Sequence, residues 1–317
     1  MNRFLIRRIP SALLVLFATS VLAFLLPRMA PGDPAAAVAG PDAGPEEIAA
    51  IRADLGFDKP WVSQYLHWLG GVLRGDFGTS YITGRSVTDL IGDRFGSTVQ
   101  LALLAALFMI TIGLLLGVAA GSSRRPWARS LLDLTCTTLL ATPAFLTGLL
   151  LALLLGVAWQ VLPVSGEVSL FDNAEIGIQY LLLPAFALAL PQAASLARLI
   201  QSAMRQSRTE EYVQTAVAKG ASARRVTVRH VLRNSLASAL VSLGMRLGDL
   251  LGGAIVIEAI FARNGLGSLA VTSSAQRDYL VIEALILLAV GIAVLLQLLT
   301  EVGLSLLDPR IRLEGTR

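Results

Sequence analysis

Charged residues are scarce in this sequence of 317 residues: 15% are Asp, Glu, Lys or Arg, whereas 55% are hydrophobic. A soluble globular chain has about 25% charged residues. This composition argues against a cytosolic enzyme with a hydrated surface and against an intrinsically disordered chain. Cysteine is rarer still, since the sequence contains only Cys136. An intrachain disulfide framework is therefore impossible.

Lysine and histidine each occur only twice, which excludes several kinds of reactive site. Neither Lys59 nor Lys219 is followed by Ser or Thr, so no phosphate-binding loop of the form G-x-x-x-x-G-K-[ST] can exist. His67 and His230 lie far apart and lack the spacing of metal ligands. We therefore expect a chain that is not catalytic and holds no metal or cofactor. Any transport against a gradient would take its energy from a partner or an ion gradient.

Long apolar runs are what the sequence has in abundance. A membrane-spanning helix needs about 20 mostly apolar residues. The runs show no strict alternation of apolar and polar residues, so a membrane β-barrel is a poor interpretation. The sequence predicts an all-α polytopic membrane protein with six transmembrane helices, at 9–27, 99–121, 131–159, 180–203, 236–261 and 280–307.

The segments between these runs differ in charge. The segment 204–235 has seven basic and two acidic residues, and 122–130 has basic residues alone. The segments 28–97 and 160–179 carry an excess of acid. Because basic loops stay in the cytoplasm, we predict a multi-pass protein of the plasma (inner) membrane with both termini cytoplasmic.

This topology divides the chain into four segments. The N-terminal run also fits a cleaved signal peptide, but its near-complete span length favours a retained helix. The expected segments are 1–27 (cytoplasmic N-terminus and first span), 28–98 (long extracytoplasmic segment), 99–307 (five-helix core with the loop 204–235) and 308–317 (cytoplasmic tail).

The cytoplasmic loop 204–235 is the most informative segment. Residues 210–219 are good helix formers, Gly220 is a natural stop, and Ser222 can cap a second helix. Small residues in the first helix let another backbone approach closely. We interpret this helix as a docking element parallel to the membrane. The alternative is a solvated basic connector. Such a connector needs neither the break between two helices at a glycine nor the small residues.

The same stretch resembles the cytoplasmic loop of ABC-type importer permeases, whose pattern is E-A-A-x-x-x-G followed by I-x-L-P. Aligned on Gly220, E-A-A falls on residues 214–216 and I-x-L-P on residues 230–233, with departures at the Glu, the first Ala, the Ile and the Pro. The dipeptide/oligopeptide branch shows these departures, with Y-V-x-T-A-x-A-K-G and H-x-L-R-N. Residues 212–220 and 230–234 are similar to that form.

Further motifs of this branch follow in order along the whole chain. Asn264 departs from the pattern, since a Pro is common before G-x-G. The matching stretches are 30–34 (APGDP), 55–60 (LGFDKP), 64–65 (QY), 75–80 (GDFGTS), 258–261 (EAIF), 265–267 (GLG), 277–279 (RDY) and 308–312 (DPRIR).

The resemblance implies a type I ABC importer permease fold and half of a translocation pathway for dipeptides or oligopeptides, or else for nickel or another small solute. It implies a paralogous permease subunit, two ATPase subunits that bind ATP and Mg, and an external solute-binding protein that delivers the peptide. It implies membrane lipid around the chain and no nucleic acid. The coupling helix to the ATPase would comprise Glu211, Tyr212, Gln214, Thr215, Ala216, Ala218, Lys219 and Gly220.

The fifth apolar run contains charged residues. Arg246 and Asp249 are three residues apart and so share a helix face, and Glu258 lies near the outer end of the run. Ionisable residues within a span usually pair or face a cavity. These residues therefore either line the transport pathway or are buried charges, with Arg246 and Asp249 neutralising each other between helices. The branch is usually apolar or small at those two positions.

Two other classes of protein have six spans. An ion-coupled secondary transporter often shows an inverted internal repeat, which is not visible here, and it would leave the docking helix without a role. A membrane-embedded enzyme needs a nucleophile and base or metal ligands within the spans, and the spans contain no histidine.

Overall fold

The computed structural model describes residues 2–29, 33–40, 42–123 and 125–307. Two predicted features lie outside the described residues. They are the tail 308–317 with its motif and residues 30–32 of the first motif. In chain order, the described α-helices are α1 Asn2–Met29, α2 Pro34–Ala39, α3 Pro45–Asp54, α4 Trp61–Val72, α5 Val87–Ser122, α6 Pro126–Ala141, α7 Ala144–Leu151, α8 Ala174–Thr209, α9 Glu211–Ala218, α10 Ala223–Arg225, α11 Arg233–Ile260, α12 Leu266–Gln276 and α13 Tyr279–Leu307.

The described part of the chain is helical, which confirms the all-α prediction. Two π-helical segments interrupt the α-helices: Ala152–Ala158 continues α7, and Val226–Leu232 joins α10 to α11. Within the described ranges the β-structure amounts to one isolated bridge between Thr79 and Ser86.

Five continuous helical stretches are long and apolar enough to cross a membrane. They overlap five of the six predicted spans, which confirms that these spans exist, although their ends differ from the predicted ones by up to twelve residues. The stretches are Arg8–Met29, Val87–Ser122, Ala174–Thr209, Ala239–Ile260 and Tyr279–Gly303.

The remaining predicted span, 131–159, is broken. Its two halves, Pro126–Ala141 and Ala144–Ala158, are bent by 104°. Thr142 is extended (φ −92°, ψ 117°), as expected for a residue before proline, and Pro143 has no N–H with which to continue the helix. The sequence predicts one span here, and the structure gives a bent pair of helices that amounts to one interrupted span.

The second and fourth spans belong to helices much longer than the membrane is thick. Helices α5 and α8 have 36 residues each, which corresponds to a length of about 54 Å at a rise of about 1.5 Å per residue. The hydrocarbon core measures about 30 Å. Both helices therefore continue outside the membrane, beyond the apolar parts that hydropathy identifies.

The chain divides into two compact units. One unit combines residues 1–98 with 264–294, and the other combines 99–263 with 295–317. The division of the chain at residues 27, 98 and 307 rests on topology and stays a prediction.

Helix α8 forms the centre of the second unit. Helix α5 packs closely against it because Gly113, Gly117 and Gly121 face it without side chains. A Cβ atom at Gly117 would lie 2.8 Å from Ile200 Cβ and 2.9 Å from the Ala197 carbonyl oxygen. Small residues of this kind allow the close helix packing that is common within membranes.

The first unit has two apolar clusters. In one, the Phe24 ring of α1 meets the Tyr65 ring of α4 edge-on, with centroids 5.4 Å apart, and lies 5.9 Å from Trp68. The other joins the start of α5 to α12 and α13 through the buried residues Val87, Leu90, Leu269, Val281, Ala284 and Leu285.

Candidate functional site: the loop helix and the buried charges

The helix predicted in the loop 204–235 is present as α9, Glu211–Ala218. It ends in a Schellman motif: Ala221 N–H donates to the Ala216 carbonyl at 3.1 Å, and Gly220 N–H donates to the Val217 carbonyl at 2.9 Å. Gly220 has φ +76°, the left-handed region that favours glycine. The predicted stop at Gly220 is confirmed, and the role of the helix stays a prediction.

The predicted capping role of Ser222 is also confirmed. Its hydroxyl accepts a hydrogen bond from Arg225 N–H at 3.4 Å and so starts the short helix α10. This helix passes through the π-helical segment Val226–Leu232 directly into α11. No loop intervenes between α10 and α11, so these two helices and the π-helical segment form one continuous helical stretch, and residues 219–222 connect α9 to its start.

One apolar residue anchors α9 to the rest of the chain. Val213 is 4% exposed and belongs to a cluster with Ile200 and Met204 of α8 and with Val226 and Val231 of the π-helical segment. This cluster fixes α9 against both the preceding and the following span.

Polar contacts between α8 and the helix that follows the loop reinforce this anchor. The Arg208 guanidinium donates to the Thr227 hydroxyl at 3.2 Å. The Asn234 amide donates to the Ser207 hydroxyl at 3.3 Å. The loop therefore has a defined shape in the described chain.

Most of the remaining residues of α9 are exposed. Tyr212 is 41% exposed and Val217 57% exposed, so two large apolar side chains lie on the surface of this chain. Ala216 is half-buried, on the same side as Val213. The other predicted coupling residues are exposed: Glu211, Gln214, Thr215, Ala218, Lys219 and Gly220.

Helix α11 has an exposed stripe along its membrane-spanning part. The stripe contains Asp249, while Arg246 is half-buried beside it. Arg246 Nε donates to the Ser242 hydroxyl at 3.3 Å, and Asp249 attracts Arg246 at longer range. The close pair that the spacing suggested is thus replaced by a bond to Ser242. The stripe comprises Val241, Met245, Asp249, Gly252, Val256 and Ala259.

Glu258 differs from these two residues, because it is fully buried. It lies near Arg263, which is 1% exposed and donates from Nη2 to Glu167 Oε1 at 3.3 Å. Burial lowers the pKa of Arg263, and the carboxylates of Glu167 and Glu258 oppose that shift. Glu258 is therefore one of the buried charges and belongs to a packed ionic cluster.

The sequence analysis missed two polar contacts of the first unit. Arg28 of α1 forms an ion pair with Glu283 of α13, and both side chains are buried. The Ser80 hydroxyl donates to the carboxylate of Asp278. A charged residue within a predicted span was the available signal for Glu283, but its partner lies 255 residues away in the sequence.

These features define a class of protein. The chain is a multi-pass helical membrane protein with one interrupted span. Its fourth and fifth spans are joined through a short, anchored helix with an exposed apolar surface. This organisation agrees with what the resemblance to ABC-type importer permeases implies: a membrane-spanning transporter subunit that works with separate ATPase subunits.

Comparison with known proteins identifies the family. The model described as binding-protein-dependent transport system inner membrane component matches residues 113–313, and its N-terminal counterpart matches residues 1–102. The chain therefore belongs to this family. It is the permease subunit of an ABC importer, located in the inner membrane, and it is not itself an enzyme.

Similar proteins support this assignment. A probable peptide ABC transporter permease of Sinorhizobium fredii is 34% identical over 98% of this chain and 100% of its own length. The glutathione transport system permease of Escherichia coli is 35% identical over 98% of this chain and 99% of its own. A crystal structure of an amino acid ABC transporter with histidines shares the fold, with TM-score 0.51 and 17% identity over 70% of this chain and 94% of the other.

Proposed function

We propose that this permease takes part in the import of short peptides. The observation that carries the proposal is the similarity, over 98% of the chain, to permeases named for peptide and glutathione transport. Glutathione is itself a tripeptide, so the names share one class of solute. The alternative is another small solute of the same branch, such as nickel.

The chain acts within a larger assembly. We propose that it forms half of the translocation pathway beside a paralogous permease subunit. Two ATPase subunits bind ATP and Mg, and an external solute-binding protein delivers the peptide. The family name supports a binding-protein partner in general terms. The same family name favours ATP-driven import over ion-coupled secondary transport.

The exposed stripe on α11 is the proposed wall of the pathway. A carboxylate in contact with lipid is strongly unfavourable, so a charged residue within a span faces a cavity or another protein. Asp249 is exposed on the surface of this chain. This supports a position for Asp249 and Arg246 at the pathway or at the paralogous subunit. Glu258 receives no pathway role, because it is buried within its own chain.

Helix α9 is the proposed coupling element. Its surface carries the exposed apolar side chains of Tyr212 and Val217, which lie on different sides of the helix and are both available to a partner. Its buried face is fixed by Val213. If a groove on an ATPase subunit receives the exposed side of α9, a movement of that subunit would displace α9. Helices α8 and α11 would move with α9, because Val213 packs tightly in a cluster with residues of both.

The proposed orientation places both termini in the cytoplasm and residues 28–97 outside. Cysteine labelling tests this in intact cells, with Cys136 replaced by Ser. A membrane-impermeant maleimide is expected to react with the variant Asp58→Cys and to spare Lys219→Cys. Reaction of Lys219→Cys from outside would overturn the orientation.

Uptake measurements test the peptide proposal. A strain that lacks this chain is expected to lose uptake of radiolabelled dipeptide or tripeptide and to regain it when the chain is restored. Nickel uptake, measured in parallel, should not change. Loss of nickel uptake with normal peptide uptake would replace the proposed substrate with the alternative.

A further inference from the structure

The unit formed by residues 1–98 and 264–294 contains a cavity of about 400 Å³. This volume lies within the range of about 300–1,000 Å³ that is typical of small-ligand sites. The stretches 55–60 and 75–80, singled out in the sequence and unexplained by the spans, both contribute to its wall. The wall is partly aromatic, and the rings of Phe57 and Tyr81 meet edge-on with centroids 5.3 Å apart.

One buried hydrogen-bond donor at the cavity wall lacks an acceptor among the described residues. Trp68 lines the cavity, is 7% exposed, and its Nε1–H has no hydrogen-bond partner there. Arg28 also lines the cavity. Its Nη1 donates to Glu283 and to the Phe24 carbonyl, and its Nε donates to Gln64. Nη2 makes no hydrogen bond to another described residue, so Arg28 can still donate while it pairs with Glu283.

A buried donor without an acceptor destabilises a protein, so such donors at a cavity wall indicate a ligand that supplies oxygen atoms. A carboxylate matches the forked geometry of a guanidinium and can accept from the indole N–H as well. The buried side of the cavity is thus suited to a carboxylate.

The rim of the cavity carries charges of both signs, with the exposed Lys59 beside two carboxylates. Asp54 and Asp76 line it and are exposed, and Asp76 uses one carboxylate oxygen to accept from Gly78 N–H at 2.8 Å. With Arg28 and Lys59, the lining has two formal positive and two formal negative charges. A lining with equal numbers of positive and negative charges, with Arg28 on the buried side and Asp54 and Asp76 at the rim, is complementary to a zwitterion.

We propose that this cavity binds a small zwitterionic solute, with its carboxylate at Arg28 and Trp68 and its ammonium group towards Asp54 and Asp76. A short peptide is the zwitterion that the importer would carry, and this part of the inference rests on the proposed function. The cavity lies on the face that we propose to be external. It would hold the peptide after release from the solute-binding protein.

Equilibrium binding of radiolabelled dialanine tests the proposal. The assembled transporter is placed in lipid nanodiscs without the solute-binding protein and without ATP. Dialanine is expected to bind, and N-acetyl-dialanine and dialanine amide are expected to compete poorly because each lacks one of the two charges. If both analogues competed as well as unlabelled dialanine does, the result would contradict a zwitterion site.

Two variants locate the site. Trp68→Phe keeps an aromatic ring but removes the N–H, so binding is expected to weaken about fivefold, as for the loss of one hydrogen bond. Ser63→Phe places a ring at the exposed rim and is expected to block binding. Trp127→Phe, at an exposed position of α6 in the other unit, is the matched control and should bind like the parent. Thermal unfolding confirms that each variant is folded.

The outcomes separate this inference from the proposed function. No dialanine binding by the parent complex, or unchanged affinity in both Trp68→Phe and Ser63→Phe, overturns the cavity site even if peptide import is normal. Binding that depends on both positions, in a complex that imports no peptide when its binding protein is present, retains the zwitterion site and removes the peptide assignment.

Discussion

The Ser80 hydroxyl donates a hydrogen bond to the carboxylate of Asp278, and the two residues are 198 positions apart in the sequence. Both side chains are 2% exposed. The contact joins the segment before α5 to the segment before α13, within the unit formed by residues 1–98 and 264–294. Two motif stretches that the sequence presents separately thus form one buried polar contact.

This contact predicts a pH dependence of stability. Burial raises the pKa of Asp278 above its ordinary value of 3.8, and the hydrogen bond from Ser80 only partly offsets the shift. The folded state therefore holds the proton more tightly than the unfolded state. The stabilisation is complete below pH 3.8 and is lost as pH rises through the raised pKa.

Thermal unfolding of the detergent-solubilised chain measures this effect. As pH rises above 3.8, the parent is expected to lose stability relative to Asp278→Asn, which cannot ionise. Asp58→Asn, at an exposed position of the same unit, is the control and should follow the parent. Parallel curves for the parent and Asp278→Asn would contradict the prediction.

The close crossing of α5 and α8 predicts opposite effects of alanine at two glycines of α5. In Gly117→Ala the new methyl group would lie 2.9 Å from the Ala197 carbonyl, and backbone cannot yield easily. We expect a loss of about 1–3 kcal/mol. Gly96 has no atom within 4 Å of an added Cβ, so Gly96→Ala is expected to stabilise the helix by up to about 1 kcal/mol. Equal unfolding temperatures for the two variants would show that the crossing is looser than described.

The buried cluster around Arg263 predicts strong coupling between charges. In Arg263→Gln, the buried Glu258 loses a nearby positive charge, and breaking a buried pair commonly destabilises a protein by about 3–5 kcal/mol. The double variant Glu258→Gln/Arg263→Gln is expected to recover much of this loss. A double-mutant cycle on unfolding free energies measures the coupling. Additive effects of the two substitutions would mean that the residues do not interact.

The end of α9 predicts a graded series at Gly220. An added Cβ there meets no atom within 4 Å, so the constraint is the φ of +76° and not space. Gly220→Val is expected to disturb the helix end and to reduce ATPase association or uptake, while Gly220→Asn is milder because Asn tolerates this conformation. Ala216→Trp is also expected to be harmful, since Ala216 is half-buried beside the anchor.

The control for this series is Arg224→Ala, which lies on the exposed segment beyond the glycine. It should retain near-normal uptake at matched membrane levels. Normal uptake in both Gly220→Val and Ala216→Trp would mean that α9 is only a connector between the spans.

Much of the fold can be predicted from the sequence, because the bilayer imposes simple rules. Span length and apolar composition located five spans, and the glycine at position 220 and the serine at 222 located the ends of the loop helices. The extension of α5 and α8 beyond the membrane escaped prediction, since hydropathy reports only the apolar part of a helix. The bend at Pro143 could not be predicted either. Proline often occurs within a span without breaking it, because neighbouring groups satisfy the freed backbone carbonyls.

The buried contacts could not be predicted for a different reason. Arg28 and Glu283, or Ser80 and Asp278, meet only because the fold brings distant segments together. The sequence identifies Glu283 as a costly charge within a predicted span but does not name its partner. For Arg246 and Asp249 the local spacing was misleading, because Ser242 at i−4 receives the hydrogen bond of Arg246.

The central claim is that this chain moves its solute only as part of an ATP-driven assembly. Uptake of radiolabelled dipeptide into proteoliposomes tests it most directly, with the chain reconstituted alone or with its paralogous subunit, the ATPase subunits and the solute-binding protein. Uptake is expected only in the complete assembly with ATP, and the chain alone should neither transport the peptide nor hydrolyse ATP. Uptake by this chain alone, driven by an ion gradient, would contradict the account.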